Sequence, residues 1–170
     1  FTRMWAEMLG WRGVRDSDTI VFYGEFTDMC AARGFWFAEY LGHDDVHVLD
    51  GGIRNWIESG FSTDTKGVVP KPKKFLYNAV REKVATYIDV LEAIDDPDCV
   101  IIDTRSKQEF LGNDKRARRG GAIPSSQHRD WEDLFDLKSG YMKSAAELLY
   151  LFLSLERKIH CSLGNMLLAN

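Results

Sequence analysis

The chain alternates short apolar runs with amphipathic stretches. Met4, Trp5, Met8 and Leu9 recur at helical spacing and predict a short helix over residues 2–9, punctuated by Gly10 and Gly13. Asp18 to Tyr23, with Ile20, Val21 and Phe22 at its centre, is short, β-branched and aromatic, and is predicted as a buried strand. Residues 24–28 read as a loop and residues 29–41 as a helix stopped at Gly42. Val46 to Leu49 predicts the next strand, Asp50-Gly51-Gly52 a tight turn, and residues 53–59 a helix that ends at Gly60. Strand, helix, strand, helix on this period predicts an α/β fold with parallel strands.

Residues 63–74 break the pattern. They hold Gly67, Pro70, Pro72 and Lys66, Lys71, Lys73 and Lys74, with few apolar residues, and read as a linker followed by an extended segment over 75–80. Thr86 is placed to cap a helix over 87–94. Cys99 to Asp103 predicts a buried strand that ends in an acid, residues 106–111 a turn or two of helix stopped at Gly112, and residues 113–121 a polar, basic loop. A helical turn over 131–135, an amphipathic to buried helix over 144–155, a strand over 158–161 and a loop over 162–165 complete the pattern. Tyr23-Gly24 and His160-Cys161 leave their strands in similar ways. If the two loops correspond, Gly24 stands where Cys161 stands, in two related units of which one carries a thiol.

The length, 170 residues, suits one ordinary domain or two small ones. With 22 basic and 26 acidic side chains the formal charge is −4, which argues against a nucleic-acid partner. Apolar residues at 45% exclude a disordered chain, and the longest apolar run, residues 148–155, is too short to cross a membrane. Cys30, Cys99 and Cys161 are odd in number and far apart, so a reducing, cytoplasmic setting is expected rather than a disulfide framework. Of the four histidines only His160 adjoins a cysteine, and no second pair completes a zinc site; no metal or cofactor is expected. The opening at Phe1, without an initiator Met, reads as the interior of a longer product.

Cys161 is the sharpest chemical candidate. A thiol at the carboxyl end of a parallel strand lies where open α/β sheets bind ligands. Backbone N–H groups of a short loop containing Gly164 could converge on the sulfur and lower its pKa; the bland reading is a small apolar residue at a strand end. Cys30 and Cys99 read as packing residues. Asp103, with Arg105 and Glu109 paired at i, i+4, reads as a charge network beneath the site. The run Lys115-Arg116-Ala117-Arg118-Arg119 can attract an anion or simply be a solvated loop, and His128 and Trp131 can line a pocket or pack.

Together these segments resemble the tandem-domain rhodaneses, the thiosulfate or 3-mercaptopyruvate sulfurtransferases. The residues that carry the resemblance are Ile20 to Tyr23, Ala31-Ala32-Arg33 with Trp36, and Val48 to Gly52 with Trp56 and Gly60 in the first half. In the second half they are Val100 to Ser106 with Glu109-Phe110 and Gly112, Gly121-Ala122-Ile123-Pro124, and His160-Cys161 with Gly164. The resemblance implies two rhodanese-like units, each with a parallel β-sheet flanked by helices and each incomplete: the end of a silent unit over 1–62, a linker over 63–85, and the start of a catalytic unit over 86–170. It implies sulfane-sulfur transfer from a small-molecule donor such as thiosulfate to a thiol or cyanide through a persulfide on Cys161. Ser162, Leu163, Gly164, Asn165 and Met166 would form the loop around it, with Asp103 and Arg105 in support. It implies no nucleic acid or membrane partner and leaves room for a homo-oligomer. This chain departs from the family's pattern at Ser162 and Leu163, where animal thiosulfate enzymes carry basic residues, and at Glu109, where mercaptopyruvate enzymes usually carry an arginine. Ala122 replaces the histidine of the Gly-His-Ile-Pro turn. A Cys-x5-Arg phosphatase shares the loop architecture, but Met166 holds the place of its arginine. A non-enzymatic rhodanese-like binding module stays open as the alternative.

Overall fold

The computed structural model describes residues 1–26 and 29–153. Two compact units divide the chain: Phe1–Arg81 with Leu137–Tyr141, and Glu82–Asp136 with, among the described residues, 142–153.

The first unit runs α1 (Thr2–Trp11), β1 (Ile20–Phe22), α2 (Met29–Tyr40), β2 (Val46–Val48) and α3 (Gly52–Glu58). β1 and β2 pair in parallel, Ile20 opposite Val46, Val21 opposite His47 and Phe22 opposite Val48. The helical periodicity of α1 turns Ala6 and Leu9 into a core shared with Ile20, Ala38, Leu41, Val46 and Phe75. β1 is buried only at Ile20; Val21 is half exposed, as a two-stranded ladder covered on one side presents alternate residues to water. Cys30, expected to pack inside its helix, is instead exposed at the start of α2. Cys30 sits about a quarter-turn from Ala31, off the side of the helix that Ala31 and Ala38 bury.

Residues 73–80, read from composition as linker and extended segment, are a strap laid along the first unit. The Lys73 N–H donates to Gly10 O at 2.8 Å, Asn78 N–H to Leu41 O at 3.0 Å, and Val80 N–H to Tyr40 O at 2.9 Å. Phe75 enters the core with 6% exposure. The approach is so close that a Cβ at Gly10 would stand 2.5 Å from Lys73 O. Gly42, at φ +79°, meets the Asn78 carbonyl in the same way.

The second unit holds α4 (Tyr87–Asp95), β3 (Ile102–Asp103), α5 (Lys107–Phe110), β4 (Gln127–His128), a 3-10 turn at Trp131–Leu134 and α6 (Ala145–Leu153). Thr86 and Asp89 form a capping box at the start of α4. β3 and β4 pair in parallel, Ile102 opposite Gln127 and Asp103 opposite His128, with Ala93, Ile101 and Ile102 buried beneath. β4 is two residues long and polar, and no apolar pattern marks it. The expectation of a partly buried helix over 144–155 is corrected for the described part: α6 buries no residue, and Leu149, Tyr150 and Leu153 are exposed. Apolar content alone does not fix which side of a short helix finds a partner. Both ladders are parallel and flanked by helices, as an α/β reading requires. No helix among the described residues is long and apolar enough to cross a membrane.

Candidate functional site

The site is built outward from the carboxyl end of β3. Asp103, the last residue of the strand, is 5% exposed. Two residues on, Arg105 turns back over it. The Arg105 backbone N–H donates to Asp103 Oδ1 at 3.0 Å, and Nε donates to Oδ1 at 2.9 Å and to Oδ2 at 3.2 Å. The terminal guanidinium nitrogen Nη2 reaches Oδ2 as well, and at 2.9 Å it also donates to Gly121 O, the residue that opens the turn before β4. One planar cation thereby ties the end of β3 to the turn leading into its partner strand. Burial pushes the Asp103 carboxyl up, but its hydrogen bonds to Arg105, that residue's charge and nearby His128 outweigh it, so the group is held below the usual carboxylate range. The same pairing raises Arg105 above its ordinary value.

The expected i, i+4 pairing of Arg105 with Glu109 gives way to this arrangement. α5 begins only at Lys107, so Arg105 lies ahead of the helix and the helical spacing does not apply. Glu109 instead serves the helix start. Ser106 Oγ–H donates to Glu109 Oε2 at 3.0 Å, while Glu109 N–H donates to Ser106 Oγ at 3.3 Å. Arg116 Nε comes to 3.8 Å from Glu109 Oε1 and donates to Asp114 Oδ2 at 3.1 Å.

On the β4 side, His128 Nε2 donates to Arg105 O at 2.8 Å, which fixes the proton on that nitrogen, and its ring leans on Phe110 with centroids 4.9 Å apart. His128 thus joins the Asp103–Arg105 cluster. The sequence signal for it was the ladder register, visible only once β4 is known to pair with β3. In the turn between, Ser126 N–H donates to Ile123 O at 3.1 Å and Ser125 sits at φ +64°, a left-handed position that glycine usually fills. Beyond β4, Arg129 Nη2 donates to Leu151 O at 3.0 Å and Lys143 Nζ to Asp133 O at 2.6 Å, anchoring both ends of the segment that leads through α6. Trp131 opens the 3-10 turn, its N–H donating to Thr104 O at 3.2 Å and its ring edge-on to Phe135.

Of the predicted site residues, Asp103 and Arg105 are together. Cys161 and its loop, Ser162, Leu163, Gly164, Asn165 and Met166, lie outside the described residues. In the first unit the chain leaves β1 at Gly24, whose carbonyl accepts from Ile53 N–H at 2.9 Å while Glu25 O accepts from Arg54 N–H at 3.2 Å. Among the described residues no cluster of three or more histidine, cysteine or acidic side chains is placed to hold a metal ion.

Residues 3–59 match the family model of the rhodanese-like domain. The chain is 30% identical over 155 residues to a putative thiosulfate sulfurtransferase of Haloferax volcanii, covering 86% of this chain and 53% of that protein. It is 31% identical over 178 residues to the thiosulfate sulfurtransferase of Corynebacterium glutamicum, covering 94% and 58%. The chain therefore spans about half the length of the curated relatives it matches. Among solved structures it resembles SseA from Escherichia coli, a 3-mercaptopyruvate sulfotransferase of rhodanese fold. The TM-score is 0.76 at 27% identity, over 90% of this chain and 57% of that one. Residues 3–59 thus carry the match to a rhodanese-like domain, and along most of its length the chain is similar to thiosulfate and 3-mercaptopyruvate sulfurtransferases, with two parallel ladders flanked by helices.

Proposed function

We propose that the protein is a sulfurtransferase that moves sulfane sulfur from thiosulfate, or a similar donor, to a thiol or cyanide acceptor through a persulfide on Cys161. The Cys161 thiolate attacks the outer sulfur of thiosulfate. The new S–S bond forms as the old one breaks, and sulfite leaves with the electron pair. An acceptor nucleophile then takes the terminal sulfur, releasing thiocyanate from cyanide or a persulfide from a thiol and restoring the thiolate. In this reading residues 1–62 belong to a silent unit with Gly24 at the thiol's place, 63–85 connect, and 86–170 belong to the catalytic unit up to its loop. The observation that carries the proposal is the extent of the match: relatives named thiosulfate sulfurtransferases align with 86% and 94% of the chain, not with a single motif. The Asp103–Arg105–Gly121 strut supports it by holding the carboxyl edge of a parallel ladder, the edge at which such sheets bind ligands.

The test is sulfur loading followed peptide by peptide. Full-length protein treated with thiosulfate should gain the mass of one sulfur atom on the peptide containing Cys161, and Cys30 and Cys99 should gain none. Cys161→Ser should abolish the gain while leaving the circular dichroism spectrum unchanged. Sulfur uptake that persists in Cys161→Ser overturns the assignment. No uptake by wild type with any sulfane donor favours the binding-module reading instead.

A further inference from the structure

We propose that the first unit carries a peptide-binding site at the carboxyl edge of its β1–β2 ladder, and that its ligand is a later stretch of the same chain, residues 137–141. Leu137–Tyr141 belongs to the first unit, although the sequence on either side of it belongs to the second. The carboxyl edge is where a parallel sheet takes its ligand. Gly24 to Phe26 follow β1 there, and Gly51 and Gly52 follow β2. The two stretches lie so close that a Cβ at Gly52 would stand 2.7 Å from Gly24 O and 2.9 Å from Phe26 O. Asn55, one turn into α3 and 7% exposed, lies over Gly51, where a Cβ would meet Asn55 Cγ at 2.8 Å.

The later stretch completes this pocket. Asn55 Nδ2 donates to Ser139 O at 2.7 Å, between residues 84 positions apart. Gly140 is buried at φ +77°, and a Cβ there would stand 2.8 Å from Cδ2 and Cζ of the Phe26 ring. Glycine alone suits both that backbone and that space. Arg54 covers the same ring, its guanidinium carbon 5.4 Å from the centroid. The flanking Leu137, Lys138 and Tyr141 are exposed. Recognition therefore rests on one carbonyl and one missing Cβ, so a Ser-Gly turn is read through its backbone. Two α3 amides that could meet an anion are already taken: Ile53 N–H donates to Gly24 O at 2.9 Å and Arg54 N–H to Glu25 O at 3.2 Å. What suits this edge is a glycine-containing peptide. The chain supplies its own, and that occupancy keeps other ligands out.

Two experiments on the full-length protein test this, and neither reads sulfur chemistry. Trypsin cleaves after Lys138, whose side chain is exposed, but it needs the next residues extended, and Ser139 and Gly140 are held. Asn55→Asp sets an acceptor against Ser139 O. It should raise native-state cleavage after Lys138 about five- to thirtyfold, the effect of one lost buried hydrogen bond. Cleavage after Arg33, on α2, should keep its wild-type rate. No rise after Lys138, or an equal rise at both places, overturns the site. In the second experiment Gly140→Val bars the segment from the pocket. A fluorescent synthetic peptide spanning residues 136–142 should then bind to that variant, read as a rise in anisotropy. It should not bind to wild type, where the tethered segment competes at an effective concentration of about a millimolar. It should also fail to bind when Gly140→Val is combined with Asn55→Asp. Absent binding, or binding that Asn55→Asp leaves unchanged, overturns the proposal. So does loss of the folded circular dichroism spectrum in Gly140→Val, which makes the segment a piece of the core rather than a ligand.

Discussion

Replacing Asp103 with asparagine keeps the shape of the side chain and removes the charge around which Arg105 is folded. Asn Oδ1 can still accept from the Arg105 backbone and Nε. At the other position an amide NH2 now faces the guanidinium, donor against donor, and only Gly121 O continues to hold Nη2. Breaking a fully buried ion pair costs about 3–5 kcal/mol and an exposed one about 0–1. Asp103 is 5% exposed, but the Arg105 side chain is 32% exposed and can take up water when released. The expected cost therefore falls between the limits, at about 2 kcal/mol. With a urea m-value of about 2 kcal/mol/M, the midpoint of the second unit's transition should drop by about 1 M. The pH dependence identifies the charge as the cause. Because the folded carboxyl is held below its unfolded value of about 3.9, its stabilisation is complete above that pH and is lost as pH falls through the lower folded value. Wild type and Asp103→Asn should therefore differ at pH 7, and the gap should narrow as pH falls below the unfolded carboxyl value. A midpoint shift under about 0.3 M at pH 7, or a gap that survives unchanged in acid, would refute the reasoning.

Two further outcomes follow from the same structure. Phe75→Ala should cost about 3–4 kcal/mol, because a 6%-exposed ring leaves a cavity between α1 and α2; a thermal melt of the first unit within a degree of wild type would contradict this. Full-length wild type should show a higher kcat/KM for thiosulfate than for 3-mercaptopyruvate, and Glu109→Arg should improve the carboxylate donor more than thiosulfate, with Glu109→Gln as the variant that keeps the Ser106 cap; a wild type that prefers mercaptopyruvate would sink the charge argument.

Helices and strands with strong local signals were legible in the sequence. The period of Met4, Trp5, Met8 and Leu9 marked α1, the β-branched run at Ile20 marked β1, and Thr86 marked the start of α4. What escaped depended on partners distant in the chain. β4 is Gln127-His128, a strand only because Ile102-Asp103 lies beside it, and no pattern of two polar residues could announce it. Phe75 sits among lysines and prolines that look like solvated linker, yet its burial was decided by the groove between two helices. Asp103, Arg105 and Glu109 read as a charge network with Arg105 paired to Glu109, whereas the structure pairs Arg105 with Asp103. The helical spacing does not hold there because Arg105 lies two residues ahead of α5. His128 entered the cluster by ladder register, a fact that does not exist until the strands pair.

The strap also decides where the gene can tolerate change. Residues 63–69 are exposed, and extra residues there would only lengthen a loop, at about 0.6 kcal/mol per doubling of its length. One codon added or lost between Lys73 and Asn78 is a different event. It throws Phe75 out of step with the two anchoring carbonyls at Gly10 and Leu41, so the ring and its hydrogen bonds can no longer be satisfied together. A duplication or fusion joined near residue 62 would part α1 and α2 from the segment that closes them. A join after the strap would carry the core away whole. Indels in this chain should therefore accumulate on the proline side of Lys73 and stop there.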